Sequence, residues 1–302
     1  MSIPQPVFIL ASPYSFTSIV CAMLSQHPDA YGVPELNLLT TDTVAELIQT
    51  IPGKFQGNLH GLWRTIAQLY AGEQTIKSVE MARRWLHRRR KSTTAEVYQE
   101  LCGKVAPLQI IEQNTVYGTN TEAMARIAKT FPHAKYLYLY RHPIDQGKSM
   151  LSSSQGVASL LAANSLDFDT EIPTVDPQYA WYSTQKHILA FLETIAMEQQ
   201  MHLRGEDLLS NPRRHLEEIC GWLGWSWSDS IYEIMLRTEQ FPYACMGPFN
   251  AQGGSSYDFQ KSPQFQPQPV FAHQAEESLP WRKDEQGLRT EVKEMLVSFG
   301  YV

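Results

Sequence analysis

Cysteine is scarce: four residues, Cys21, Cys102, Cys220 and Cys245, lie far apart and form no CxxC pair and no Cys/His spacing of the kind a zinc ion takes. Neither a disulfide framework nor a metal site is therefore expected, and the thiols read as buried, free groups in a reducing compartment. Long apolar runs are missing as well. No stretch approaches the roughly 18–20 residues needed to span a bilayer. The first segment has only the short apolar run Val7 to Ala11 and no basic flank, so it cannot serve as a secretory signal. The expectation is a soluble, cytoplasmic protein that does not enter a membrane. Positive charge is in deficit, with 25 Lys and Arg against 31 Asp and Glu and a net charge of −6. Proteins built to neutralise nucleic-acid phosphates carry the opposite balance, so nucleic acid is not an expected partner. A GxxxxGK[ST] loop is absent, which argues against the Mg²⁺-nucleotide chemistry of P-loop kinases and ATPases. Internal repeats are absent too.

Apolar residues are plentiful. At 43% hydrophobic and 19% charged residues, the chain has ample surface to bury and a normal polar shell, which excludes disorder and coiled coil. Val7-Phe-Ile-Leu-Ala11 reads as a strand, followed by a tight loop at Ser12-Pro13 and helical spacing from Thr17 to Ser25. Lys135 to Tyr140 repeats the pattern: a continuous apolar and aromatic run suited to a buried parallel strand, then Arg141-His142-Pro143 and a helix to about Ser153. Further strands are expected at Leu108 to Glu112 and Met201 to Arg204, and helices across 43–106 and at Asn120–Thr130, Tyr179–Gln200, Leu208–Gly224 and Leu288–Phe299. Strands alternating with helices imply an α/β fold with a central parallel sheet flanked by helices. Residues 242–280 are rich in Gly, Ser, Gln and Pro and read as a long irregular loop rather than a boundary, so residues 1–302 are taken as one domain.

In such a sheet, ligands bind at the carboxyl ends of the strands, where a starting helix offers unpaired N–H groups to an anion. Two such ends stand out. The loop Ser12 to Ser18 supplies the hydroxyls of Ser15, Thr17 and Ser18, which would serve equally as a helix cap or as anion donors. Arg141, with Ser149 about two helical turns on, suits a phosphate. Two phosphate sites in adjacent loops would hold a nucleotide phosphorylated at both ends of its ribose.

These residues resemble the PAPS-dependent sulfotransferases, in particular the bacterial and carrier-linked branch that is also similar to tyrosylprotein sulfotransferases. That family carries a strand and a Pro-Arg-Ser-Gly-Ser/Thr-Thr loop, then His-Pro-Asp, then a Glu. Pro13-Tyr14-Ser15-Phe16-Thr17-Ser18, His27-Pro28-Asp29 and Pro34-Glu35-Leu36 stand in those places. The 3′-phosphate motif Arg-x-Pro-x-Asp-x-x-x-Ser appears in full from Arg141 through Pro143 and Asp145 to Ser149. Arg204-Gly205-Glu206-Asp207-Leu208, Asn211-Pro212 and Leu223-Gly224 resemble later signposts of the family, and the Gly254 region resembles its late loop that closes over the donor. The resemblance implies a P-loop-like sulfotransferase fold with PAPS as donor and PAP as product. It places Arg141 and Ser149 on the 3′-phosphate, Ser15, Thr17 and Ser18 around the 5′-phosphosulfate, and Glu35 as the general base. The acceptor it implies is a hydroxyl or amine of a small or carrier-bound molecule, and it is compatible with a homo-oligomer.

The departures gather at the reacting end. Tyr14 stands where the family has Arg or Lys, Phe16 where it has Gly, Gln113 where relatives read Lys, and Gly205 where they often have an aromatic. Two readings follow: a PAPS-dependent enzyme, or a sulfotransferase-fold protein that binds a ligand or partner, or runs a different reaction, without sulfonation. A basic run from Arg83 to Lys91 holds six Lys and Arg with Trp85 among them; it reads as a solvated helix face or as a docking patch for an anionic partner. Trp222, Trp225 and Trp227, and Tyr136, Tyr138 and Tyr140 at period 2, read as packing residues.

Overall fold

A computed structural model describes residues 3–50, 57–168, 173–267, 278–282, 284 and 286–301. Its centre is a five-stranded sheet built from β1 (Val7–Leu10), β2 (Ala30–Val33), β3 (Gln109–Gln113), β4 (Lys135–Tyr140) and β7 (Gln200–Arg204), in the spatial order β2-β3-β1-β4-β7. All four pairings are parallel, with Val7 level with Ile111 on one side and Lys135 on the other. A separate antiparallel pair joins β5 (Leu166–Asp167) to β6 (Thr174–Val175).

The pleat sorts the core. Phe8, Leu10, Ile110, Tyr136 and Tyr138 point to one face, and Val7, Ile9, Ile111, Leu137 and Leu139 to the other; each set anchors its own hydrophobic cluster. Because helices cover both faces, every side chain of β1 is shut off from solvent, which explains an unbroken apolar run in place of alternation. On the first face the ring of Phe8 meets those of Tyr98, Tyr117, Phe131 and Tyr136. The tyrosine stripe of β4 is thus core, as its period suggests, and Trp225 packs on His27 with ring centroids 4.6 Å apart.

The expected elements are present with shifted ends. The stretch Leu208 to Gly224 is two helices, Gly205–Ser210 and Pro212–Leu223, because Pro212 has no N–H to continue the first and opens the second instead. The helix expected to reach Gln200 ends at Leu192, and Asp176 caps its start by accepting from Gln178 N. Three cysteines are buried as expected, whereas Cys245 is exposed. Of the long loop over 242–280, residues 268–277 lie outside the described part; the rest includes the short helix Tyr257–Lys261. No helix among the described residues is long and apolar enough to cross a membrane, and no group of His, Cys, Asp or Glu among them could hold a metal ion.

The strand order fixes the site. From β1 the chain builds β2 and β3 on one side and then crosses to β4 and β7 on the other. The loops after β1, β3 and β4 therefore diverge around a crevice at the carboxyl edge of the sheet.

Candidate active site

The loop after β1 is held by a buried polar relay. Tyr138 OH on β4 donates to Gln185 Oε1 (2.6 Å), Gln185 Nε2 donates to Ser12 Oγ (3.3 Å), and Ser12 Oγ lies 3.0 Å from Ser15 Oγ. Gln146 Nε2 donates to the Pro13 carbonyl at 2.8 Å. Both Tyr14 (φ 62) and Phe16 (φ 64) adopt the left-handed conformation that glycine takes without cost. The turn is thus tight even though no glycine is present. Phe16 is the N-cap residue of helix Thr17–Ser25 and makes no capping bond, and no acidic residue occupies the first turn. The free amides and the positive end of the helix dipole remain available to an anion there. Ser15, Thr17 and Ser18 are all buried, and Ser18 Oγ accepts from Ser256 N at 3.0 Å.

Arg141, at the end of β4, reaches back to this loop. Its Nη1 donates to the Tyr14 carbonyl at 2.7 Å, and its Cζ sits 4.2 Å from the centroid of the Phe16 ring. Its Nε is buried without a partner, so one donor stays uncommitted in the crevice. Burial pushes the guanidinium below its ordinary pKa, with Glu206 and Asp145 opposing that shift. Glu206 accepts from His142 N (2.8 Å) and from Tyr301 OH (2.9 Å), fixing the backbone that carries Arg141. Ser149 follows two turns along helix Pro143–Leu151 and is half-buried.

Glu35, after β2, accepts at Oε1 from the Thr115 hydroxyl (2.8 Å) and the Thr115 N–H (3.3 Å). Burial raises its pKa, and the two Thr115 bonds pull the other way. A second carboxylate lies behind it: Glu112 is fully buried and accepts from Leu36 N (2.9 Å) and Asn114 Nδ2 (3.0 Å). Burial lifts Glu112 to about 7. It is therefore a brace for the loops that carry Glu35.

The late loop closes the assembly. Gly254 O accepts from Glu35 N (3.0 Å) and Gln113 Nε2 (3.1 Å). Gly253 N donates to His60 Nδ1 at 3.0 Å, while Arg64, itself wholly buried, donates to Gly253 O and Cys245 O at 3.1 and 2.7 Å. This loop thus lies against both Ser18 and Glu35.

The structure brings Arg141, the segment of Ser15, Thr17 and Ser18, and Glu35 together at one edge of the sheet, with Arg141 bonded to the first loop and the late loop joining that loop to Glu35, whereas Ser149 lies two turns along helix Pro143–Leu151 with no bond to any of them. The substituted positions are satisfied elsewhere: Tyr14 OH pairs with Ser153 Oγ, Gln113 with Gly254, and Phe16 with Arg141. Thr115, Glu112 and Arg64 were not singled out. Arg64 alone carried a visible signal, a cation within the otherwise apolar face of Leu62, Trp63 and Ile66. An uncapped helix start, three hydroxyls and a half-buried arginine whose Nε is free fit a phosphate-bearing donor.

Comparison with known proteins agrees with this architecture. A sequence model of the sulfotransferase family matches residues 6–229. The sulfotransferase domain from the curacin biosynthetic pathway superposes with a TM-score of 0.74 at 20% identity, covering 100% of this chain and 99% of that one. The sulfotransferase domain from the Synechococcus PCC 7002 olefin synthase gives 0.72 at 21% identity, covering 100% and 97%. A Mycobacterium avium sulfotransferase gives 0.52 at 16% identity, covering 99% and 76%. No curated protein matches the sequence. With the match spanning β1 through the two helices that follow β7, the chain belongs to the sulfotransferase family.

Proposed function

We propose that this sulfotransferase moves a sulfuryl group from PAPS to a hydroxyl or amine of a small or carrier-bound acceptor. The observation that carries the reading is the junction of Arg141 with the loop that opens helix Thr17–Ser25: a cation with a free buried donor beside an uncapped helix start. Arg141 and Ser149 would hold the 3′-phosphate, and the first-turn amides with Ser15, Thr17 and Ser18 the 5′ end. PAPS, when bound, supplies a sulfuryl group on a phosphate leaving group. Glu35 takes the acceptor proton as the new bond to sulfur forms, and its buried setting places its proton affinity nearer to that task. With PAPS bound, the helix start and its hydroxyls would stabilise the charge that gathers on the departing phosphate. Residues at 14 and 113 that bring no cation, and whose side chains bond to Ser153 and Gly254, favour a second reading in which the nucleotide binds without turnover.

Thermal unfolding with and without PAP, repeated on Arg141→Ala, tests the donor site. PAP at 100 times its dissociation constant should add roughly 2.7 kcal/mol in the wild type. That gain should vanish in the variant. No stabilisation of the wild type at millimolar PAP would overturn the assignment.

A further inference from the structure

The basic run does not spend all its charge within the protein. Arg83 pairs with Glu80 (3.0 Å) and lies over Trp63; Arg89 makes a two-pronged pair with Glu100 (2.7 Å for each) and stacks on Trp85 at 3.5 Å. Arg84, Arg88, Arg90 and Lys91 are exposed and make no ion pair among the described residues, in a chain whose net charge is −6. On helix Ile76–Arg88, Glu80, Arg84 and Arg88 follow one another at four-residue steps and so share a face.

An apolar element sits at the end of that row. Asn250 Nδ2, in the late loop, donates to Glu80 Oε1 at 2.9 Å, which puts Phe249 beside the face that carries Arg84. Phe249 is 86% exposed and Met246 45%, an unusual cost for a loop that is otherwise stitched down. The same loop, three to six residues beyond Asn250, bonds to His60, Glu35 and Ser18.

We propose that Phe249, Met246 and the Arg84–Arg88 row form a docking surface for an acidic protein that presents the acceptor. Exposed aromatic anchors bordered by unpaired cations suit a partner helix with carboxylates around an apolar residue. The loop that carries Phe249 also accepts from Glu35 N at Gly254 O, so the surface and the base are joined by one segment of chain. The inference rests on the carrier-bound form of the function proposed above.

The test is fluorescence anisotropy of a labelled, acidic holo-acyl carrier protein titrated with the full chain, using wild type, R84E/R88E and Phe249→Ser. Wild type should bind, more weakly as salt rises, and each variant should bind about tenfold more weakly. PAP stabilisation is measured on the same samples and should be unchanged in both variants. No binding by wild type, or equal binding by all three proteins, overturns the proposal. So does tighter binding of a poly-dT oligonucleotide or of phosphatidylglycerol vesicles, which would make the patch a nucleic-acid or membrane surface. A wild type that binds the carrier protein but gains nothing from PAP would sink the donor assignment and leave the docking surface standing.

Discussion

The ring of Phe16 fills the space over Gly205: a Cβ built on Gly205 would lie 2.6 Å from Phe16 Cδ2. The family this chain resembles has glycine at the first position and often an aromatic at the second. Here the aromatic volume comes from the loop rather than from the end of β7, and the two departures are one exchange. Its effect on the site is to place a ring face against Arg141.

Gly205→Tyr alone should evict Phe16 from that contact and destabilise the fold by about 1–3 kcal/mol, the usual cost of overpacking. Phe16→Gly alone should give back loop strain of about 1–2 kcal/mol while losing the ring packing. If the two positions share one volume, the double variant regains most of the loss of Gly205→Tyr. Urea unfolding of the four proteins yields the coupling directly. Simple additivity would show that Phe16 and Gly205 are independent.

Much of the fold around this candidate site is legible in the sequence. The strands with continuous apolar runs, β1 and β4, stand where their residues place them, and the loops after them carry the hydroxyls and the arginine expected there. What escaped was decided by distant partners. β2 is a short strand containing Gly32, whose missing side chain leaves room for Ser25, and nothing in Ala30–Val33 alone announces a sheet edge. Arg64 is explained by carbonyls at Gly253 and Cys245, nearly two hundred residues further on. Glu112 stands in the sequence only as the end of a strand, and its role as a buried brace comes from the packing of Leu36, Asn114 and Tyr117 around it.

That brace should leave a mark on the pH dependence of stability. An unfolded chain ionises Glu112 near 4.5, whereas the folded protein holds the proton up to about 7. Between those values the folded state keeps a proton that the unfolded state has lost, so the stability this group contributes is full below about 4.5 and is lost as pH rises towards 7. The change is on the order of 3 kcal/mol. Glu35, also raised by burial, acts in the same direction. Urea unfolding at several pH values from 5 to 8 should show wild type weakening with rising pH, and Glu112→Gln should flatten most of that slope. A wild type that strengthens across this range would contradict the buried, protonated carboxyl.

Gly254 is where three backbones meet. Its φ is +110°, a conformation L side chains rarely adopt, and a Cβ there would fall 2.6 Å from Gly61 Cα and 2.9 Å from Gly61 N. Gly61 is itself packed closely on the Glu35 carbonyl, since a Cβ on it would lie 2.1 Å from that oxygen. Both neighbours are backbone, so Gly254→Ala has no flexible side chain to displace, and retaining the wild-type path would cost about 2–3 kcal/mol. The cheaper outcome is for the late loop to lift, breaking the bonds that Gly254 O accepts from Glu35 N and Gln113 Nε2. Hydrogen exchange should then quicken at least tenfold at the Glu35 amide, while amides of β1 and β4 stay protected at wild-type levels. Unchanged protection at Glu35 would show that the loop is not what holds that amide, and the coupling drawn between the late loop and the base would fall with it.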